Sequence, residues 1–148
     1  MFTYQINMKN IALILLLNVL TLPLSATPFW AQYKWQSRIV VYYAESESDM
    51  SASIVNAHQY EWAFSERRLR FIVVFEETVR RFPDNGDNVT LQPDNAYAVS
   101  PGESLLIGLD GGIKHHYTDL VWQEIFRDID RMPMRRAEIE QRKQSKDS

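Results

Sequence analysis

Unbroken apolar runs, a helical spacing and a run broken by a turn succeed one another along the chain, and each predicts an element. Arg38-Ile39-Val40-Val41-Tyr42-Tyr43-Ala44 is β-branched and aromatic with no polar alternation, the pattern of a central strand buried on both faces. The polar stretch Glu45-Ser46-Glu47-Ser48-Asp49 follows, and its last residues are suited to cap a helix. Beyond it Ile54, Val55, His58 and Trp62 recur at three- and four-residue spacings, which predicts a helix from about Met50 to Glu66 with those four on one apolar face. Arg67 to Arg70 put positive charge at that helix's negative pole, and Phe71-Ile72-Val73-Val74-Phe75 is a second wholly apolar strand. Strand, helix and strand, with both strands buried, predict a right-handed parallel unit.

Periodicity fades from Glu76 to Gly102, where Pro83, Pro93, Pro101, Gly86 and several Asn and Asp predict a loop with one short helix near Asp94 to Ala98. Asn88-Val89-Thr90 matches a glycosylation acceptor, but a three-residue match is too frequent by chance to carry an argument. Ser104 to His116 then reads as a β-hairpin turning at Asp110-Gly111-Gly112, whose glycines permit positive φ. Thr118 or Asp119 is placed to cap a last helix carrying Leu120, Val121, Ile125, Ile129 and Met132 at helical spacing. Pro133 ends that helix and pushes Met132 out of the α region. From Ala137 onward the chain is charged and apolar-poor, the composition of a frayed or disordered tail. The layout is α/β and thioredoxin-like: a central mixed sheet with a parallel βαβ half, then a C-terminal β-hairpin plus helix.

The N-terminus changes the picture of compartment. Met8-Lys9-Asn10 followed by the apolar run Ile11 to Leu24 and then Leu24-Ser25-Ala26 has the layout of an export signal, so residues 1–26 read as a signal peptide cut after Ala26. Met8 is an alternative initiator, and an uncleaved anchor is the alternative fate, although Asn18, Thr21, Pro23 and Ser25 weaken a spanning helix. Residues 27–34 read as a linker, 35–136 as the domain and 137–148 as the tail. What remains after the cut, about 120 residues, suffices for one core. Lys9 is the one charged residue before the cut, so the mature chain has four more acidic than basic side chains, which argues against nucleic acid as a partner. The location this predicts is the bacterial periplasm or the medium, with a membrane involved only if the signal is retained. The chain contains no cysteine. Disulfide stabilisation, thiol–disulfide exchange and thiol peroxidation, which all need a cysteine thiol, are therefore excluded.

Two segments carry a resemblance: Gly108-Leu109-Asp110-Gly111-Gly112-Ile113-Lys114 and Ile129-Asp130-Arg131-Met132-Pro133-Met134-Arg135-Arg136. With them the chain, from about Trp35 to Glu138, resembles a family of small exported bacterial proteins classed as a domain of unknown function. That family is in turn similar, more distantly, to the peroxiredoxin-like DUDES domain of extracellular vertebrate proteins. The resemblance implies a thioredoxin-like fold and carries over no catalytic residue. Gly108, Asp110, Gly111, Gly112, Lys114, Asp130, Met132, Pro133, Met134 and Arg135 read as structural residues of the family pattern, which usually has Lys where this chain has Leu109.

Thioredoxin-like enzymes hold their nucleophilic cysteine where the first strand meets the first helix, because the helix's positive end stabilises a thiolate. Here Glu45 to Ser51 occupy that junction, and Ser46, Ser48 or Ser51 would each need a base. The residue before the hairpin, commonly a cis-proline in this fold, falls at Gly102 rather than Pro101. Glu45, Glu47, Ser48 and Asp49 form the candidate ligand region, since open α/β sheets bind ligands at the carboxyl ends of their strands. His58 joins it as an acid–base group only if it faces that loop; the plainer expectation is a core histidine. His115 and His116, as strand neighbours, point to opposite faces and do not chelate one ion. No metal and no cofactor is implied. Arg67-Arg68, Arg80-Arg81 and Arg135-Arg136 read as solvated charge, Met132 as core packing, and Met134 as either packing or an adaptable partner surface. The expected function is a non-redox binding or interaction module of the envelope, whose partner is a protein or small ligand. A cysteine-independent enzyme using Glu45 to Ser51 with His58, and an envelope structural or stress-associated protein, are the alternatives.

Overall fold

The computed structural model describes residues 28–84 and 99–146. The export segment, the expected helix near 94–98 and the Asn88 acceptor lie outside the described residues. A 3-10 turn at Phe29–Tyr33 precedes β1 (Arg38–Tyr43), α1 (Glu47–His58), α2 (Glu61–Glu66), β2 (Leu69–Phe75) and β3 (Thr78–Phe82). β4 (Ser104–Ile107), β5 (Ile113–Tyr117), α3 (Trp122–Arg131) and α4 (Pro133–Lys146) complete the described chain. The five strands form one mixed sheet in the order β3-β2-β1-β4-β5. β1 and β2 run parallel, Arg38 opposite Leu69 through Tyr43 opposite Val74, and the other pairs are antiparallel. This topology is compatible with a thioredoxin-like fold.

Period-2 alternation divides the central strands between two cores. Val40, Tyr42, Phe71, Val73 and Leu106 face the helices and pack with Met50, Phe64, Trp122, Ile125 and Ile129. Ile39, Val41, Ile72, Val74, Leu105 and Ile107 face the other way, against Trp30 and Tyr33. The stretch expected to be a linker is therefore cover for the second face: Trp30 is 1% exposed, and its indole donates to the carbonyl of Gly111.

Five expectations about elements are corrected. The single helix from Met50 to Glu66 is two, because the amides of Gln59 and Tyr60 turn back to Asn56 and Ala57 and close the first at His58. Its buried stripe is Met50, Ser53 and Ala57, with Ile54 beside it; Val55 and Trp62 are 66% and 75% exposed. Small side chains form that face, so a search for large apolar residues misplaces it. β3 arises within the stretch read as loop, through a two-residue turn in which Glu76 adopts φ 51°. Its Phe82 reaches the helix-side core while Arg80 stays in solvent, a charged edge strand that resists further pairing. The α3 cap position is Val121, with no side-chain cap from Thr118 or Asp119. Finally, Pro133 ends α3 as expected, with Met132 at φ −64° and ψ 138°, but it also opens α4, where a missing N–H costs nothing. The tail from Ala137 is helical through Lys146.

Candidate functional site

At the carboxyl end of β1, Ser46 caps α1 by accepting the Asp49 amide at 3.1 Å, so the polar run becomes the first helical turn. Asp49 Oδ2 accepts the Tyr42 hydroxyl at 2.7 Å and the Glu45 amide at 2.9 Å. Burial, and then the Asp49 carboxylate, hold the Tyr42 phenol above its ordinary range. Gly102, at φ 89°, donates its amide to the Tyr43 carbonyl at 2.7 Å, and a Cβ there would stand 3.0 Å from Glu45 Oε1. The junction opens on a shallow cavity of about 510 Å³ lined by Tyr42, Glu45, Asp49, Ser53 and Gly102. Glu47 and Ser48 are exposed on the first turn. Among the described residues no three His, Cys, Asp or Glu side chains are grouped to hold a metal.

His58 does not join this group. It stands eleven residues along α1 from Glu47, roughly 16 Å at the rise of a helix. It is neither a core histidine nor a partner of the carboxylates: it is exposed, with its ring edge-on to Phe82 at 4.5 Å beside a separate cavity lined by Glu61 and Arg80. Both His115 and His116 are exposed on the edge strand β5, the second bonded to Glu103 at 2.9 Å.

At the opposite end of the sheet the two segments that carry the family resemblance come together. In the β4–β5 turn Lys114 Nζ lies 2.6 Å from Asp110 Oδ2, and Asp110 Oδ1 accepts the Gly112 amide at 3.1 Å. The Lys114 hydrogen bond, then the Gly112 amide, lower the Asp110 pKa. The Lys114 stem occupies the space beside Gly108, where an added Cβ would meet Lys114 Cε at 2.5 Å. Leu109 is buried. Gly108, Leu109, Asp110 and Lys114 face Met132-Pro133-Met134 across a cavity of about 260 Å³, and Arg38 lines it too.

Behind that cavity lies an ion cluster that sequence reasoning missed. Arg135, expected in water, is 1% exposed; it donates to the Glu66 carbonyl at 2.8 Å, Glu66 Oε1 at 2.9 Å and Asp130 Oδ1 at 3.3 Å. Arg67, also expected to be solvated, bonds Asp130 Oδ2 at 2.6 Å. Arg38 at the head of β1 donates to the Arg67 carbonyl at 2.8 Å and to both oxygens of Glu138 at 3.2 and 3.3 Å. The cluster ties β1, α2, α3 and α4 together. Its available signals were a lone arginine heading an otherwise apolar strand and the five-residue interval from Asp130 to Arg135.

A family model described as a domain of unknown function, DUF4174, matches residues 29–138, most of the chain and nearly all of the described fold. The chain belongs to the DUF4174 family. The DUF4174 match begins at Phe29, so it takes in the Trp30–Tyr33 cover that the resemblance, drawn from Trp35, left out. It closes on Glu138, the carboxylate that holds Arg38. No curated protein and no solved structure matches the chain.

Proposed function

We propose that this DUF4174 protein is an exported, non-redox, thioredoxin-like module of the bacterial envelope that works by binding a protein or small ligand. One observation carries the reading: the junction at which such folds hold a thiolate presents carboxylates and hydroxyls and no thiol, and Asp49 is engaged by Tyr42 and the Glu45 amide. The resemblance to peroxiredoxin-like domains supports the scaffold and not the reaction, since peroxide reduction needs a sulfur nucleophile. The basic-then-apolar start of the chain supports export, and its acidic balance speaks against nucleic acid. The separation of His58 from Glu47 weakens the alternative of a cysteine-independent enzyme with its site at the junction. Purified protein is expected to reduce insulin disulfides and to consume peroxide at the rates of a protein-free control. Either activity rising in proportion to protein concentration would overturn the reading.

A further inference from the structure

We propose that the cavity between the β4–β5 turn and the Met132–Met134 corner binds a small carboxylate with an apolar body. Its size fits: an enclosed space of 150 Å³ accepts benzene, so about 260 Å³ takes a ring and a short arm. Leu109, Met132, Pro133 and Met134 supply apolar wall, and the two thioethers adapt to a guest's shape.

Among the described residues, Asp110 is the one carboxylate in the cavity's lining, and Lys114 and the Gly112 amide already hold it; the other polar features call for negative charge. Arg38 is 1% exposed, and its Nε has no hydrogen-bond acceptor among the described residues, although both terminal nitrogens are engaged. A buried cationic donor left open is costly, and its uncompensated charge makes this wall of the cavity favour a negative group. α4 begins at Pro133, so the amides of Met134 and Arg135 precede its first intrahelical bond, from the Arg136 amide to the Met132 carbonyl. These amides form the positive end of a 14-residue helix. The surrounding charge points the same way: Arg38, Arg67, Arg68, Arg135 and Arg142 share the three carboxylates of Glu66, Asp130 and Glu138, which leaves the cluster with an excess of positive charge. Lys114 stands at the rim, held by Asp110. The same arginines repel a soft metal ion from the methionine pair, and the largely apolar wall suits a carboxylate better than a phosphate.

This inference rests on the reading of the protein as a binding module and names its ligand class. The test is a titration of the full chain, labelled at its methionine methyl carbons, with 3-phenylpropionate and with the uncharged 3-phenylpropan-1-ol. Saturable shifts of the Met132 and Met134 methyls are expected with the acid, while Met50, buried in the helix-side core, stays still. The alcohol should bind at least about tenfold more weakly, because a charge-assisted hydrogen bond is lost. Met134→Glu places an acid on the exposed first turn of α4, where the fold tolerates it, and should weaken acid binding by more than about tenfold. Silent Met132 and Met134 methyls up to about 20 mM acid, a range that covers even an inefficient ligand of this size, would overturn the inference. Equal affinity for acid and alcohol, or unchanged affinity in Met134→Glu, would do the same. None of these results bears on redox turnover, so failure here and failure of the non-redox reading remain distinguishable.

Discussion

Arg135 shows how one side chain can hold three segments in register. Its guanidinium spends donors on the Glu66 carbonyl, the Glu66 carboxylate and Asp130, and Asp130 in turn holds Arg67. Arg135→Ala removes the shared cation and leaves Glu66 and Asp130 in a confined space, a loss of about 3–5 kcal/mol. Denaturant unfolding should show this as a lower midpoint with little change in slope. Lys keeps the charge but not the fork, so Arg135→Lys should recover only part of the loss. Asp110 provides the pH-dependent counterpart. Its carboxyl is held low by the Lys114 ammonium and the Gly112 amide, so it contributes stability above the unfolded aspartate value. That contribution fades as the pH falls through the lower folded value. A carboxyl-carbon titration should place the Asp110 midpoint below the ordinary aspartate range, and Lys114→Met should raise it; an ordinary midpoint in the parent chain would contradict the assignment. The charge at Arg38 and Arg135 was legible in the sequence, but their burial was not. Nothing in local spacing reveals that Glu66 and Glu138, seventy-two positions apart, converge on them.

Elements with a strong local pattern were the ones the sequence revealed. The two all-apolar strands, the Asp-Gly-Gly hairpin and the stop at Pro133 stand where their patterns place them, because burial on both faces, positive φ and a missing N–H each leave a local trace. The α1 face was misread because Ser53 and Ala57, not larger residues, approach the sheet. β3 was hidden because Thr78-Val79-Arg80-Arg81-Phe82 has charge at its centre and its turn, Glu76-Glu77, lacks the usual glycine or asparagine. The hairpin turn lends itself to a paired test. Gly111 has φ 78° and a Cβ added there meets only ordinary contact with Lys34, so Gly111→Ala should cost about 1–2 kcal/mol from backbone conformation alone. Gly112 lacks positive φ, and its Cβ space is also ordinary contact, so Gly112→Ala should change the melting temperature much less. Equal effects at the two positions would show that something other than φ limits this turn.

Across the whole molecule, the ion cluster and the apolar-walled cavity gather at one end of the sheet, and the junction of carboxylates and hydroxyls lies at the other. The hairpin turn, the Met132–Met134 corner and the ion cluster meet near the start of β1; the junction where related folds place a thiolate lies at its far end, about 20 Å away along an extended strand. At that junction the positive end of α1 is opposed by Glu45, Glu47 and Asp49, with Arg80 of β3 reaching only as far as Ser51. The residues singled out from the sequence do stand at a strand–helix junction, but they are not gathered around one point: Asp49 holds the Tyr42 hydroxyl and the Glu45 amide, while Glu47 is exposed on the first helical turn. Because the chain has no cysteine, a single introduced thiol is its own reporter. The rate of iodoacetamide alkylation of Ser48→Cys, followed against pH, measures whether this helix end still favours a thiolate. The midpoint should lie at or above the ordinary thiol value of about 8.5; a midpoint near 7 or below would show that the junction still supports sulfur chemistry and would contradict the account.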